Sequence, residues 1–180
     1  MALQGKLSHP KRYITTTDTQ GRAIIDTSVP EDSPFYEIAP KDAAFAQCYV
    51  TDGFPVDIGD GADVAAYRGF LASPPGLTVS TGTVLRYVDI PPGKTSPMHK
   101  TVSLDYGVVL EGEVELVLDS GETRLMRRGD ICVQRATMHA WRNVSDEEWV
   151  RMLYVLQPAR SSVEELKEDY GGMNGVDASK

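Results

Sequence analysis

The fold is decided by two stretches of the sequence, PPGKTSPMHKTVSLDYGVVLEGEVEL at residues 91–116 and GDICVQRATMHAWRN at residues 129–143. Both consist of short segments that are typical of β-strands. They contain two of the three histidines of the chain, His99 and His139, and Asp105 follows the first of these by six residues. Histidine and carboxylate brought together in a small β-structure make either a metal site or an acid/base site.

The first stretch resembles one of the two conserved motifs of the cupin superfamily, whose members are small antiparallel jelly-roll barrels. That motif is a Gly, five residues, His-x-His, three or four residues, Glu, six residues and a second Gly. The spacing here matches throughout, from Gly93 and His99 through Asp105 to Gly112. Two of the three expected ligands differ, because Thr101 stands where the second His belongs and Asp105 where the Glu belongs.

The second stretch resembles the second cupin motif, a Gly followed by Pro-x-Gly-x-x-His and, three residues later, an Asn. Gly129, His139 and Asn143 match this motif, whereas Gln134 and Ala136 stand where the motif has Pro and Gly. The resemblance covers roughly the central third of the chain. It implies an all-β fold, the cupin jelly-roll β-barrel or double-stranded β-helix.

The sequence is also similar to small fungal cupins encoded beside polyketide and other secondary-metabolite pathways, in which a Thr at the second ligand position is familiar. That resemblance implies a small-molecule substrate and a homodimer formed through the N-terminal strands. It also implies a possible divalent metal, Fe, Mn, Ni or Zn, on His99, Asp105 and His139. Metal binding stays open, because Thr101 is a weak ligand and Asp reaches about 1.5 Å less far than Glu.

Composition sets limits on the class of protein. The chain has 180 residues, 24% charged and 41% hydrophobic, which is ordinary for a globular protein. A net charge of -8 and a pI near 4.9 argue against nucleic acid or an anionic membrane as partner, since both require a basic surface. The sequence lacks a signal-peptide pattern and a long apolar run, so we expect a cytoplasmic protein.

Residues 1–80 are predicted to supply N-terminal strands, a cover segment and a loop that pack on the barrel. We expect strands at 13–17 and 22–26, an extended Pro-containing cover at 27–42 and a strand at 43–50. The segment 51–76 is rich in Gly, Pro and Asp and is interpreted as a long loop that closes over a pocket.

Residues 81–160 are predicted to form the barrel core, with strands at 83–90, 108–110, 113–118 and 149–156. Residues 161–180 are predicted to form a short C-terminal α-helix and a disordered tail. The helix is expected to start at Ser161 or Ser162 and to run to about Asp169, because a Glu follows each Ser at capping-box spacing. The three parts are expected to make one structural domain.

Six further residues are candidates for substrate binding: Arg86, Thr101, Tyr106, Gln134, Trp141 and Tyr49. Trp141 follows His139 by two residues and should share its face of the strand. Arg86 either points inward, as an anchor for a carboxylate or phenolate, or lies on the outer face beside a carboxylate.

Three functions remain open. His99, Asp105 and His139 either act as acid/base groups, with Asp105 orienting a histidine, or bind a metal. By analogy with the secondary-metabolite cupins, we favour a lyase or isomerase that decarboxylates, dehydrates or tautomerises a polyketide-like or other carbonyl-bearing metabolite. The alternatives are a non-haem iron dioxygenase that uses the same three residues and a non-catalytic small-molecule-binding protein.

Overall fold

The structure is a computed structural model that describes residues 7–38, 41–163, 165–173 and 176. These residues form eleven β-strands and one α-helix, so the predicted all-β class is confirmed. The strands are β1 (Ile14–Thr17), β2 (Ala23–Asp26), β3 (Phe35–Ile38), β4 (Ala43–Val50), β5 (Val84–Ile90), β6 (Ser103–Glu111), β7 (Glu113–Leu118), β8 (Thr123–Arg127), β9 (Ile131–Arg135), β10 (His139–Asn143) and β11 (Val150–Pro158). The helix α1 spans Ala62–Ala72.

Two antiparallel sheets make the jelly roll. The larger has six strands in the order β3-β4-β5-β11-β6-β9, and the smaller has three strands in the order β10-β7-β8. The strands β1 and β2 form a separate hairpin, as predicted for the N-terminal region. Strand order is therefore not sequence order, because β11 returns between β5 and β6 and brings the two halves of the chain together.

The core lies between the two sheets. Alternate residues of β5 and β11 point inward, and Val84, Val150 and Met152 are fully buried there. Val114 on β7 is fully buried from the opposite sheet. Burial of each such side chain stabilises the fold by roughly 1.5–3 kcal/mol relative to exposure. The same alternation that fills the core also carries polar residues into it, and these build the site described below.

The prediction of a long loop over residues 51–76 is wrong. A 3-10 turn at Gly59–Gly61 leads into α1, which buries Val64 and Tyr67 against the barrel. These two residues are three apart and therefore share one helix face. The Gly and Asp residues that precede α1 indicated a loop. The helix buries only Val64 and Tyr67, so its apolar face is too narrow to give a clear helical pattern in the sequence. The helix α1 has eleven residues, and the described residues include no helix that is long and apolar enough to cross a membrane.

The C-terminal helix is also a wrong prediction for the residues that the structure describes, with Glu164 lying outside them. Instead of forming a helix, Asp169 bridges to Lys100 through backbone hydrogen bonds of 2.5 and 2.9 Å. A short helix is stable in water only where an apolar face packs on something, and Val163 is 90% exposed. Backbone pairing with the barrel takes the place of the helix.

The cover segment is extended as predicted, and part of it adds the edge strand β3 to the large sheet. The tail was predicted to be disordered, which is wrong for residues 171–173 and Val176. Gly171 lies so close to Met98 that a Cβ would fall 2.0 Å from the Met98 carbonyl oxygen, and Met173 borders the cavity between the sheets. The rest of the predicted tail lies outside the described residues.

Candidate active site

A cavity opens between the two sheets. Its wall is mainly apolar and aromatic, as expected for a small-molecule site. The polar and charged residues that border it are Asp42, Arg86, Ser96, His99, Thr101, Asp105 and His139. The sequence motifs therefore bring their two histidines and their aspartate to a single cavity.

The two histidines form one side of the cavity, which we call the histidine wall. His139 begins β10 in the small sheet, and His99 pairs with it through two backbone hydrogen bonds of 2.8 and 2.9 Å. Because paired residues of antiparallel strands point to the same face, the two imidazole rings lie side by side with centroids 4.3 Å apart. Both side chains are buried.

Each histidine is oriented by a backbone carbonyl two residues before it. Nδ1 of His99 lies 2.9 Å from the Pro97 oxygen, and Nδ1 of His139 lies 2.9 Å from the Thr137 oxygen. A carbonyl oxygen can only accept, so each Nδ1 carries the proton and donates. Each Nε2 is then left with its lone pair as an acceptor.

Both rings are neutral near neutral pH. Burial lowers the pKa of His99, with small opposing contributions from the Pro97 carbonyl and the Asp42 carboxyl. Burial, together with the neighbouring His99, lowers the pKa of His139 to about 3 against the opposing effect of the Thr137 carbonyl. The histidine wall thus presents two neutral acceptors of fixed tautomer and not a cation.

Arg86 on β5 and Asp105 on β6 border the cavity from the large sheet, and we call this side the arginine wall. Asp105 is 4% exposed, and burial raises its pKa to about 6 against the opposing effects of Ser103, Thr101 and Arg86. Its Oδ2 accepts a long hydrogen bond of 3.4 Å from the Thr101 hydroxyl, which itself accepts from Ser103 at 2.7 Å. Its Oδ1 has no hydrogen-bond partner among the described residues.

Asp105 is therefore not the residue that orients the histidines, contrary to the sequence-based interpretation. The backbone carbonyls of Pro97 and Thr137 hold the rings, and the contacts of Asp105 are with Thr101. A backbone carbonyl at this position cannot be read from residue types, since every residue has one.

The three predicted metal ligands also fail to come together as a set. Among the described residues, no group of three or more His, Cys, Asp or Glu side chains is arranged to hold a metal ion. The two Nε2 atoms are suitable donors, but Asp105 is turned to Thr101, the residue that replaces the second histidine of the motif. The side chains of this chain therefore do not fit the predicted three-ligand metal centre. The physical reason is that Thr101 and Asp105 replace the His and Glu of the motif and hydrogen-bond to each other.

Arg86 points inward, which decides between the two alternatives left open by the sequence. The guanidinium is 3% exposed, lies 5.1 Å from the Phe45 ring centroid, and donates from Nη2 to the carbonyls of Gly76 and Leu77 at 2.9 and 3.0 Å. Both carbonyls belong to the segment between α1 and β5. That segment therefore fixes the guanidinium, while β5 carries the backbone of Arg86.

The aromatic side chains of Trp141 and Tyr154 also border the cavity. Trp141 lies edge-on to His139 at 5.7 Å and to Tyr154 at 5.8 Å between ring centroids. Gly107, the register partner of Tyr154, makes room for that ring, because a Cβ there would fall 2.8 Å from the Tyr154 Cε1 atom. Trp141 and Thr101 border the cavity, as the sequence predicts.

The structure does not bring Tyr49, Tyr106 or Gln134 to the cavity, so these predicted contacts are corrected. A β-bulge between Gln47 and Tyr49 turns Tyr49 outward, where its hydroxyl donates to Asp63 at 2.6 Å. Tyr106 is 44% exposed, since it neighbours the inward-facing Asp105 on the same strand. The Gln134 amide is buried but donates to the Thr137 carbonyl at 2.9 Å.

The cavity residues that sequence reasoning missed include Asp42, Tyr154 and Met173. Asp42 is buried, which raises the pKa of its carboxyl, and it comes from the end of the cover segment. Tyr154 was detectable, because the inward alternation of β11 includes it. Met173 comes from the C-terminal segment, and no periodic pattern marks it.

Comparison with known proteins places the chain in a family. The sequence pattern of the cupin domain matches residues 86–156. Phomopsin biosynthesis cluster protein C' of Diaporthe leptostromiformis is 44% identical over 171 residues, which is 95% of this chain and 89% of that protein. The cupin-domain-containing oxidoreductase fogC of Aspergillus ruber is 43% identical over 153 residues, covering 83% of this chain and 73% of that protein.

Among solved structures, the polyketide cyclase RemF of Streptomyces resistomycificus superposes with a TM-score of 0.50 at 17% identity, covering 85% of this chain and 89% of that one. Identity this low supports the fold alone. The relatives support more, because they align over most of both chains at 44% and 43% identity. The chain belongs to the cupin superfamily and resembles the cupins of fungal secondary-metabolite biosynthesis.

Proposed function

We propose that this protein is a small-molecule enzyme, a lyase or isomerase that moves a proton on a polyketide-like or other carbonyl-bearing metabolite inside the barrel. One observation carries the proposal. A carboxyl with a pKa raised to about 6 shares a buried cavity with two neutral imidazoles whose tautomers are fixed. A general base works best when its pKa lies near the working pH, and of these three groups Asp105 meets that condition.

The chemistry runs through Asp105. An ionised Asp105 oxygen takes a proton from the carbon next to the substrate carbonyl, and the electrons of the broken C–H bond form an enolate. Return of that proton to a different carbon completes a tautomerisation. In a dehydration, the electrons of the enolate expel a β-hydroxyl, which leaves as water with the proton that Asp105 carried. Both outcomes balance without an oxidant or a reductant.

The histidines have a different role in this scheme. With Nδ1 donating to the backbone and a pKa of about 3, His139 is a poor base and an effective hydrogen-bond acceptor. The paired Nε2 atoms would accept from a hydroxyl of the substrate and hold it over Asp105. Fixed acceptors of this kind contribute by orientation.

Proton exchange tests the proposal without knowledge of the natural substrate. The protein is incubated in D₂O with 2-tetralone, an aromatic ketone with acidic α-protons, and deuterium incorporation is followed by NMR. We expect exchange above the buffer rate, lowered by roughly 10²- to 10⁴-fold in Asp105→Asn. Tyr106→Phe is the matched control, because Tyr106 neighbours Asp105 but lies outside the cavity. Exchange by Asp105→Asn at the parent rate would contradict the assignment.

An oxidoreductase is the second candidate, favoured by one observation. The relatives at 43% and 38% identity from Aspergillus ruber and Neurospora crassa are named cupin-domain-containing oxidoreductases. Oxygen uptake in the presence of Fe²⁺, measured with an electrode on the same ketone, would favour this candidate. Proton exchange without oxygen uptake would favour the lyase or isomerase.

A further inference from the structure

Arg86 is a buried cation that has no ion-pair partner among the described residues. It is 3% exposed, its Nη2 is paired with two neutral carbonyls, and its Nε has no hydrogen-bond partner among the described residues. Burying a guanidinium is unfavourable unless an opposite charge and full hydrogen bonding compensate for lost water. The environment of Arg86 supplies neither in full.

Arg151 shows how the same barrel treats a buried arginine with a structural role. It is 5% exposed, and Asp89 accepts from its Nε and Nη2 at 2.6 Å each, which is a bidentate ion pair. The two arginines lie on neighbouring strands of one sheet, β5 and β11. The difference is that Arg151 is neutralised within the chain, whereas Arg86 borders the cavity.

Asp105 does not neutralise Arg86. The strand β11 lies between β5 and β6, so the two residues are separated by two strand spacings of about 4.8 Å each. Asp105 is attracted to Arg86 but forms no ion pair with it, and Asp105 Oδ1 has no hydrogen-bond partner in the part of the chain that the structure describes. A guanidinium without an ion-pair partner and a carboxyl oxygen without a hydrogen-bond partner, both judged on the described residues, therefore belong to two side chains that border one cavity.

We propose that Arg86 binds the carboxylate of the substrate, which is an aromatic or conjugated keto acid. This inference rests on the proposed function. A carboxylate supplies the charge that Arg86 lacks, and it can accept from the guanidinium N–H groups other than Nη2, which already donates to Gly76 and Leu77. Phe45 lies against the guanidinium at 5.1 Å, and Trp141 and Tyr154 line the same cavity, so a flat unsaturated body fits beside the acid group.

A carboxylate bound to Arg86 limits the reactions that the substrate can undergo. Loss of CO₂ moves negative charge from the carboxylate to carbon, so a cation that holds the carboxylate stabilises the reactant more than the transition state. A carboxylate on Arg86 is therefore retained. The reaction class that remains is proton transfer or dehydration elsewhere on the substrate, with the acid as an anchor.

Binding of a matched pair of probes tests the inference. The acid 2-naphthoate and the amide 2-naphthamide have nearly the same shape and differ in charge. Isothermal titration calorimetry is expected to give a Kd for naphthoate that is about 10- to 100-fold lower than for naphthamide. Arg86→Met is expected to remove that preference while binding naphthamide as before, and Arg86→Lys to keep part of it.

Gln47→Leu is the matched control. Gln47 is the register partner of Arg86 and is buried, and its amide has no hydrogen-bond partner among the residues that the structure describes, but it lies outside the cavity wall. The Gln47→Leu variant should prefer naphthoate over naphthamide to the same degree as the parent protein. Equal affinity of the parent for both probes would overturn the inference, as would unchanged naphthoate binding by Arg86→Met or Arg86→Lys with the fold intact by circular dichroism.

The outcome is separable from that of the proposed function. Tight naphthoate binding that depends on Arg86, together with no deuterium exchange into 2-tetralone, would support the anchor and contradict the proton-transfer enzyme. Exchange that falls in Arg86→Met while naphthoate binding stays unchanged would mean that Arg86 stabilises the enolate, and would overturn the anchor.

Discussion

The histidine wall and the arginine wall differ in how completely their polar atoms are paired. On the histidine wall each Nδ1 is bonded to a backbone carbonyl, and both rings are neutral. On the arginine wall Arg86 Nε and Asp105 Oδ1 are buried and have no hydrogen-bond partner within the described parts of the chain. The Nδ1 hydrogen bonds fix the orientation of the two rings, whereas unpaired buried groups lower stability until a ligand satisfies them. The difference indicates that the histidine wall offers neutral acceptors of fixed orientation, whereas the arginine wall is the side that carries and changes charge.

The largest expected effect on stability comes from Asp105→Asn. Burial raises the pKa of Asp105 from 3.8 to about 6, so the folded protein binds more protons than the unfolded chain between those values. Stability from this group is therefore complete below pH of about 4 and lost as the pH rises through 6. At neutral pH the Asn variant should be more stable by up to about 3 kcal/mol, since one pKa unit corresponds to about 1.4 kcal/mol.

Urea unfolding of both proteins at several pH values measures this effect. The advantage of Asp105→Asn should disappear near pH of about 4, where Asp105 is protonated in the folded state. If the two proteins differed in free energy of unfolding by the same amount at every pH, the cause would be packing and not the charge of Asp105. That result would contradict the difference drawn between the two walls. His139 drives stability the opposite way, because its lowered pKa costs stability as the pH falls, but it is common to both proteins and cancels.

The pH dependence of proton exchange sharpens the assignment of the base. An Asp105 that must be ionised gives a rate that falls about tenfold per pH unit below about 6 and is level above it. His139, with a pKa of about 3, would give no change in the same range. Exchange into 2-tetralone measured from pH of about 5 to 8 distinguishes the two. A level profile throughout would remove Asp105 from the role.

A smaller effect is expected on the loop that holds the histidine wall. Ala136 adopts a φ of 51°, in the left-handed region, two residues before the end of the turn into β10. A glycine reaches this conformation without the steric cost that a Cβ brings. Ala136→Gly should therefore raise the free energy of unfolding by about 0.5–1 kcal/mol, measured in urea. A loss of stability would show that the methyl group packs favourably there.

Chelation is expected to have the smallest effect. The described residues do not form a three-ligand metal centre, so proton exchange should stay within about twofold of its rate after EDTA treatment and desalting. Loss of exchange on EDTA treatment and its recovery with added Fe²⁺ would give the histidine wall a metal and favour the oxidoreductase. Elemental analysis of the same samples identifies the metal.

Much of this arrangement follows from sequence. The motif spacing predicted the all-β fold and brought His99, Asp105 and His139 to one cavity, because register in a β-barrel converts spacing into position. Strand alternation alone would have excluded Tyr106, which neighbours the inward-facing Asp105. Tyr49 was not predictable in this way, because the bulge after Gln47 reverses the alternation and has no distinct residue signal.

The remaining errors share a physical cause, which is that tertiary contacts decided the outcome. The helix α1 forms on two buried residues, and the C-terminal segment gives up a helix for backbone pairing with Lys100. Likewise, the direction of Asp105 depends on the hydroxyl of Thr101 and not on its position in the motif. Local sequence patterns indicate secondary-structure propensity, and tertiary contacts with the barrel override that propensity where they are more favourable.

The contrast between the walls rests most directly on the state of the two histidines, and ¹⁵N–¹H correlation NMR reads that state. We predict that His99 and His139 are both protonated at Nδ1, with Nε2 unprotonated, and that His139 stays neutral as the pH is lowered from about 8 to about 5. An Nε2–H tautomer in either ring, or charging of His139 near pH 6.5, would contradict the account.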